Sequence, residues 1–600
     1  MSRDRTALRA RRPAGRRRLA ATAAALAVGL AAGLGVHAGT TGVQLTDAAW
    51  VDREDVGGAL GTRATWCDTG LYSTTGRGQL LAGVVGTGST STVTAVDPLR
   101  VTNPGSGPST TRAGAVSAGA GTDALVAPLT AAALQGTQST LGSSVSFGSG
   151  LVAAHLQQHA RATSTGAGAG AAGAVSATGT VDAATQTTTG GLPDLATVDV
   201  RALVGGPLLS STLGAANAAD LTTLTLVAGT TASSTVRDAC ISNPTTTRAY
   251  GVSGLRLEAT STSLRAASTQ AKAAASAAQT AITSTSTTTA SVRGAVAANV
   301  NTVYRTNQAL LNLLTPGTST PAMTMSLTVD LPAAVAAQTS QTLGAGGPVR
   351  LDLATGVMTV DVAALTSTTA GINGLAPNTE VLSAAIMSAA STSVGTLLPA
   401  YRTAVLGSIS TALSTSVATI SVSTPITLLG LVSEPSVVTY VGTLNQLRDK
   451  QGTVTATVGA NNTCGLVTAG SCASVRNALN STGGTAQLRQ AAADAVTSTV
   501  YGTSTTGTVP PSGQVVAAVA AAQGRLQSSL AALPSAVSAQ VNVRPDVTTP
   551  AARPGVAFAA GEVGVTALRV GAVPAARTAW LALGTSAAGP NIYRPVGSAP

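Results

Sequence analysis

Aromatic side chains are nearly missing from this sequence: Phe, Trp and Tyr together make up 2% of its 600 residues. Stacking platforms for bases or sugar rings are therefore scarce, and only Trp50, Trp66 and Trp580 remain to line one small site. Charge is scarce as well. Asp, Glu, Lys and Arg make up 10%, so much of the polar surface falls to Thr, Ser, Asn and Gln. Lysine occurs only at Lys272 and Lys450, and a Gly-x-Ser-x-Gly elbow, a Cys-x-x-Cys pair and an EF-hand loop do not occur. What is abundant is small: the 44% apolar content is mainly Ala and Val, which bury little area per residue and stabilise only when the core is extensive.

The net charge of +11 is unevenly placed. Eight arginines stand in the first 18 residues against Asp4, and the remaining 26 basic and 22 acidic residues nearly balance. A nucleic-acid binder gathers its basic residues on one face, with aromatics for single strands. Neither is present, which excludes nucleic acid as a partner. The arginines instead form the n-region of an export signal. Residues 19–36 are a run of Ala, Leu, Val, Gly and Thr, and Val36-His37-Ala38 places cleavage between Ala38 and Gly39. The alternative is an uncleaved signal-anchor tethering the chain through residues 19–36; the Ala/Gly content of that run favours cleavage.

Regular patterning is strongest over residues 323–423. Met325-Ser326-Leu327-Thr328-Val329-Asp330 alternates like a half-buried strand. Val349-Arg350-Leu351-Asp352-Leu353 and Val357-Met358-Thr359-Val360-Asp361-Val362 flank Ala354-Thr355-Gly356 as a hairpin. Pro399 marks a helix start, with Val405, Ile409, Leu413 and Val417 on one face, and residues 418–423 return to alternation. Residues 257–314 read as helical, Val292, Val296 and Val300 sharing a face and Pro316-Gly317 ending the run. Further helices are predicted over 475–500 and 514–533. Residues 166–191 are close to low complexity and read as short strands joined by loops. Thr197-Val198-Asp199-Val200 recurs as Thr328-Val329-Asp330-Leu331 and Thr359-Val360-Asp361-Val362, with no fixed period and hence no solenoid.

Several segments together resemble a known family. They are Ala48-Ala49-Trp50-Val51-Asp52-Arg53-Glu54, Gly76-Arg77-Gly78-Gln79-Leu80-Leu81-Ala82-Gly83 and Gly173-Ala174-Val175-Ser176. They continue in Leu353-Ala354-Thr355-Gly356-Val357-Met358-Thr359-Val360-Asp361 and Gly374-Leu375-Ala376-Pro377-Asn378-Thr379. The sharpest are Val565-Thr566-Ala567-Leu568-Arg569-Val570 and Gly584-Thr585-Ser586-Ala587-Ala588-Gly589-Pro590-Asn591. Over residues 48–591 the chain resembles the choice-of-anchor G proteins of actinobacterial surfaces. The resemblance implies export and surface display by an exchangeable C-terminal anchor, and it brings no catalytic residues. A sorting signal or membrane tail is expected after Asn591, whereas residues 592–600 carry neither. The expectation is thus a protein released, held non-covalently, or retained through its N-terminal segment. Leu375-Ala376-Pro377-Asn378-Thr379-Glu380 looks like a sortase motif but is internal, with Glu380 where Gly is needed. It reads as a loop entering a helix, with Asn378 or Thr379 as N-cap.

Candidates for chemistry are few. His155 and His159 stand four apart, which on a helix puts both on one side. A metalloprotease needs Glu after the first His, and Leu156 is there, so a solvated helix face is expected. Asp52, Glu54, Asp352 and Asp361 read as solvated caps rather than paired acids. Cys67, Cys240, Cys464 and Cys472 are an even count in an exported chain, which favours disulfides. Cys464 and Cys472 enclose a short Gly-flanked loop and are natural partners, leaving Cys67 with Cys240.

The expected fold is an elongated α+β body, rich in antiparallel strands and Ala-rich amphipathic helices, after the signal segment. Its expected parts are the signal (1–38), a β-rich region (39–256), a helical region (257–318), an α+β region (319–591) and a short tail (592–600). No catalytic, metal or cofactor site is assigned and no cofactor is expected. The expected function is a structural or adhesive role at the cell surface or in the medium, with cell-wall or surface components as partners. An envelope-acting enzyme or a calcium- or ligand-binding module is the alternative.

Overall fold

The recurrent Thr-Val-Asp segments share one physical role. Strands Ala196–Asp199 and Val357–Asp361 both end at the Asp, whose carboxylate accepts free amides of the helix that follows: Arg201 and Ala202 at Asp199, Ala364 at Asp361. Asp330 accepts from Ala333 in the same way at the start of helix Leu331–Ser340. In the computed structural model the described residues are 67–85, 91–93, 97–110, 112–118, 123–129, 145–147, 156–181, 194–240, 245–284, 291–306, 314–316, 322–366, 371–428, 432–460, 462–465, 469–501, 511–573 and 579–594. The chain divides into Met1–Thr65 and Trp66–Pro600, and the description that follows concerns the second unit. The export signal with Ala38 and Gly39, and Trp50, Asp52, Glu54, Trp66 and His155, lie outside the described residues.

Asp199 and Asp361 belong to one seven-stranded antiparallel sheet. Its order is Thr342–Leu343, Val349–Asp352, Val357–Asp361, Leu255–Ser261, Leu221–Ala228, Ala196–Asp199, Val145–Phe147. The central pair, Leu221–Ala228 with Leu255–Ser261, then leaves this sheet. At Gly229-Thr230 and Ser253-Gly254 the two chains turn together, still joined from Gly229 N–H to Gly254 O (2.8 Å) and from Ser253 N–H to Thr230 O (2.9 Å). They continue as Thr231–Asp238 and Thr245–Val252 into a six-stranded sheet completed by Ala167–Gly173, Gln157–Ala162, Ala124–Pro128 and Val116–Ser117.

That sheet packs face to face on a nine-stranded one. The main path there is Thr379–Glu380, Val537–Val543, Val563–Ala572, Trp580–Ala588, Tyr72–Val85, Leu99–Asn103, Ser109–Thr110. Stacked sheets ordinarily stand about 10 Å apart. Here the backbones touch: a Cβ on Gly78 would overlap the Ala171 carbonyl oxygen, and one on Gly170 those of Arg77 and Ala587. Across the same gap the Thr235 and Ser586 hydroxyls meet at 2.9 Å. The near-low-complexity Ala167–Gly173 is thus an inner strand whose glycines admit the opposing sheet.

Elsewhere small residues let helices approach. Ala267, Ala271, Ala274 and Ala278 are buried on helix Thr262–Thr283, which packs on helix Pro511–Ala532. Helix Ala384–Thr415 packs on the latter as well. A five-stranded sheet, Leu314–Pro316, Val417–Leu428, Val432–Thr443 and Thr453–Val458 with Ala322–Ser326 paired to the second, is covered by helices Val292–Thr306, Ala469–Asn480 and Thr482–Val496.

Several expectations are corrected. The boundary at 256 falls inside strand Leu255–Ser261, and the one at 318 separates Leu314–Pro316 from Ala322–Ser326, both partners of Val417–Leu428. The tail is tied in: Ile592–Tyr593 pairs with Ser73 and Tyr72, and the Tyr72 and Tyr593 rings meet edge to face. The strand expected over residues 325–330 is Ala322–Ser326, because Asp330 serves as a helix cap. The long helix begins not at Pro399 but at Ala384, capped by Ser383, and carries Pro399 inside it. Burial of Met387, Val394, Leu398, Tyr401, Val405 and Leu413 offsets the hydrogen bond that the proline removes. Val417 begins the next strand instead.

Candidate functional site: an arginine pocket beneath a pinned loop

The cysteines pair as the spacing suggests. Cys67 is bonded to Cys240 with Cα atoms 5.2 Å apart, and Cys464 to Cys472 with Cα atoms 6.3 Å apart. The first joins the approach to strand Tyr72–Val85 to the end of Thr231–Asp238, so it ties the two sheets of the sandwich together at the ends of inner strands.

His159 is not on a helix face. It lies in strand Gln157–Ala162, 3% exposed, its ring under the turn at Gly179 and its Nδ1 without a partner among the described residues. Burial first, and the nearby Arg161 second, lower its pKa to about 4. It stands neutral and structural. Asp352 accepts from the amides of Ala354 and Thr355 in the hairpin turn, and Asp361 caps its helix, so the two acids serve the backbone. Trp580 is half-buried at the start of strand Trp580–Ala588. Among the described residues no group of three or more His, Cys, Asp or Glu is placed to hold a metal ion.

The densest polar construction centres on the internal Leu375-Ala376-Pro377-Asn378-Thr379-Glu380. Asn378 is 1% exposed and holds a left-handed backbone, φ 59°, which Asn tolerates better than most residues. Its Nδ2 lies 3.0, 3.2 and 2.8 Å from the carbonyl oxygens of Arg544, Val547 and Pro550, and its Oδ1 accepts from Arg544 N–H at 2.6 Å. One side chain thereby pins the start of the 544–561 loop. Neither Asn378 nor Thr379 caps a helix; Ser383 does, and within the sortase look-alike Asn378 is the buried residue. Gln540 fixes the same loop farther on, donating to Ala551 O (3.3 Å) and accepting from Arg553 N–H (2.8 Å). The Glu380 carboxylate accepts from Ser538 Oγ (2.5 Å) and the amides of Ala539 (2.6 Å) and Leu382 (3.3 Å), while burial raises its pKa.

Beneath that loop, on the nine-stranded sheet, lies a cavity of about 220 Å³ lined by Arg553, Arg569, Thr566 and the apolar Val543, Val556 and Phe558, among others. Arg569 rises from strand Val563–Ala572 and is 3% exposed. Its Nε donates to Pro554 O at 2.9 Å, its guanidinium lies where a Cβ of Gly571 would stand, and its Nη1 has no partner among the described residues. Burial, then repulsion from Arg553, lowers its pKa to about 10 against the opposing pull of Glu380. Farther along the loop Arg77 sits 5.2 Å from the Phe558 ring centroid and joins Arg100 in salt bridges to the buried Glu562, at 3.4 and 3.1 Å.

Residues 76–589 match the family model of a domain of unknown function, DUF8394. The chain belongs to the DUF8394 family. The match runs from strand Tyr72–Val85 to the residue after Trp580–Ala588, so the domain takes in the sandwich, both helix-covered sheets and the arginine pocket. Cys67 lies just before it and is bonded into it at Cys240. No curated protein and no solved structure matches the chain.

Sequence reasoning assigned no role to Arg569 or Arg553 and met Glu380 only as a departure from a sorting motif. The signal for Arg569 was present: it is the one charged residue in Val565-Thr566-Ala567-Leu568-Arg569-Val570, an otherwise uncharged strand-forming run.

Proposed function

We propose that this chain is an exported protein of the cell surface or medium, with a structural or adhesive role toward cell-wall or surface components. The Cys67–Cys240 and Cys464–Cys472 disulfides carry this reading, because such bonds persist in oxidising compartments. The arginine-led apolar segment at the N-terminus and the resemblance to choice-of-anchor G proteins support it further. Among the described residues no helix is long and apolar enough to cross a membrane. The adhesive role draws support from the open face of the five-stranded sheet. Thr324, Ser421, Thr439 and Thr455 stand in one register row across four strands, each exposed or half-exposed. Such a row offers uncharged donors and acceptors, suited to hydroxyl-rich polymers. Fractionating the native host into cytoplasm, membrane, wall and medium tests the reading. Recovery from the wall or medium is expected, and a cytoplasmic chain still starting at Met1 would overturn it.

A further inference from the structure

Arg569 is a buried cation without a full set of partners. A charged donor taken from water needs an acceptor of opposite charge, and Nη1 has none among the described residues. Arg569 lines a cavity, and the second cation lining it, Arg553, is exposed. Glu380 opposes the two arginines by its field but does not line the cavity, so the charge on its walls is positive. The remaining walls include Val543, Val556 and Phe558. About 220 Å³ is less than the roughly 300–1,000 Å³ of drug-sized sites, so a ligand of few heavy atoms is indicated.

We propose that this pocket binds a small monocarboxylate, its carboxylate held by Arg569 and Arg553 and its apolar remainder against Val556 and Phe558. A guanidinium fork matches a carboxylate in geometry and charge. It matches phosphate as well, but phosphate would leave the apolar walls unused. The Asn378-pinned loop supplies preorganisation: Arg553 is held by its own amide to Gln540, and Arg569 by Nε to Pro554 O, before any ligand arrives.

The test is thermal unfolding of the purified mature full-length chain, titrated with sodium propanoate against sodium chloride at matched ionic strength. A ligand that binds only the folded state raises the midpoint in a concentration-dependent way set by its dissociation constant. Propanoate is expected to raise it above chloride. Arg553→Ala should keep the ligand-free midpoint and weaken propanoate at least tenfold. Arg569→Met should abolish the propanoate effect; should that variant not fold, Arg553→Ala decides. Propanoate no better than chloride, or an effect intact in Arg553→Ala, would overturn the site. A sodium phosphate arm giving the larger shift would overturn the monocarboxylate assignment. Because it uses purified protein, the result is independent of where the protein resides.

Discussion

Replacing Asn378 by alanine should release the 544–561 loop. Its Nδ2 carries two hydrogens shared among three carbonyls, and its Oδ1 accepts one amide, so three well-formed hydrogen bonds are lost. At about 1 kcal/mol net each they sum to about 3 kcal/mol. The left-handed backbone at φ 59° adds about 1 kcal/mol for a residue with a Cβ and no local bonding. A total near 4 kcal/mol is large against a typical stability of roughly 5–15 kcal/mol. Asn378→Gly keeps the backbone relaxed and should be milder by about 1 kcal/mol. Asn378→Asp should be at least as harmful as alanine, since a buried carboxylate offers the three carbonyls no donor. Urea unfolding followed by circular dichroism gives the magnitude. Thermolysin, with Val547, Val556 and Phe558 as cut sites in the loop, reports the local opening. An Asn378→Ala protein cut no faster than the parent, with an unchanged midpoint, would refute the pinning.

Three further outcomes follow from the same structure. His159 has its pKa lowered to about 4, so the unfolded chain takes the proton first; stability should be full above pH 6.5 and fall by roughly 3 kcal/mol as pH drops to about 4, a loss that His159→Leu should flatten in a pH series of unfolding curves. Gly170→Val would drive a side chain into the carbonyls of Arg77 and Ala587, and more than about 3 kcal/mol of destabilisation, or failure to fold, is expected, with no comparable effect for Gly407→Ala, where nothing lies within 4 Å. Removing the bridge of sequence separation 173 should cost about 5 kcal/mol and that of separation 8 about 2–3 kcal/mol in the chain-entropy picture, read as midpoints of Cys67→Ser/Cys240→Ser and Cys464→Ser/Cys472→Ser proteins.

The parts of this fold legible in sequence are those fixed by local chemistry. The hairpin Val349–Asp352/Val357–Asp361 and helix Pro511–Ala532 follow from period and turn residues. The three Thr-Val-Asp segments were visible as a recurrence, and their capping role becomes evident only when the helix after each is seen. Long-range pairing left no local trace: Tyr72–Val85 finds Trp580–Ala588 across almost the whole chain. Ala167–Gly173 carries no hydrophobic alternation because its partner sheet demands glycine rather than bulk. His159 misled because a spacing of four gives a common face on a helix and on a strand alike, so the spacing could not tell the two apart; the residue falls in strand Gln157–Ala162 and is buried. The pocket was illegible for the same reason as the sandwich: Arg569 and Arg553 come together only when the 544–561 loop folds back over its own sheet.

The most direct test of the account is a non-reducing peptide map, with N-terminal sequencing, of protein recovered from the surface or medium of its own host. The account predicts a start at Gly39 and two linked peptide pairs, Cys67 with Cys240 and Cys464 with Cys472. Free thiols at these four positions, or a Cys67–Cys464 peptide, would contradict it.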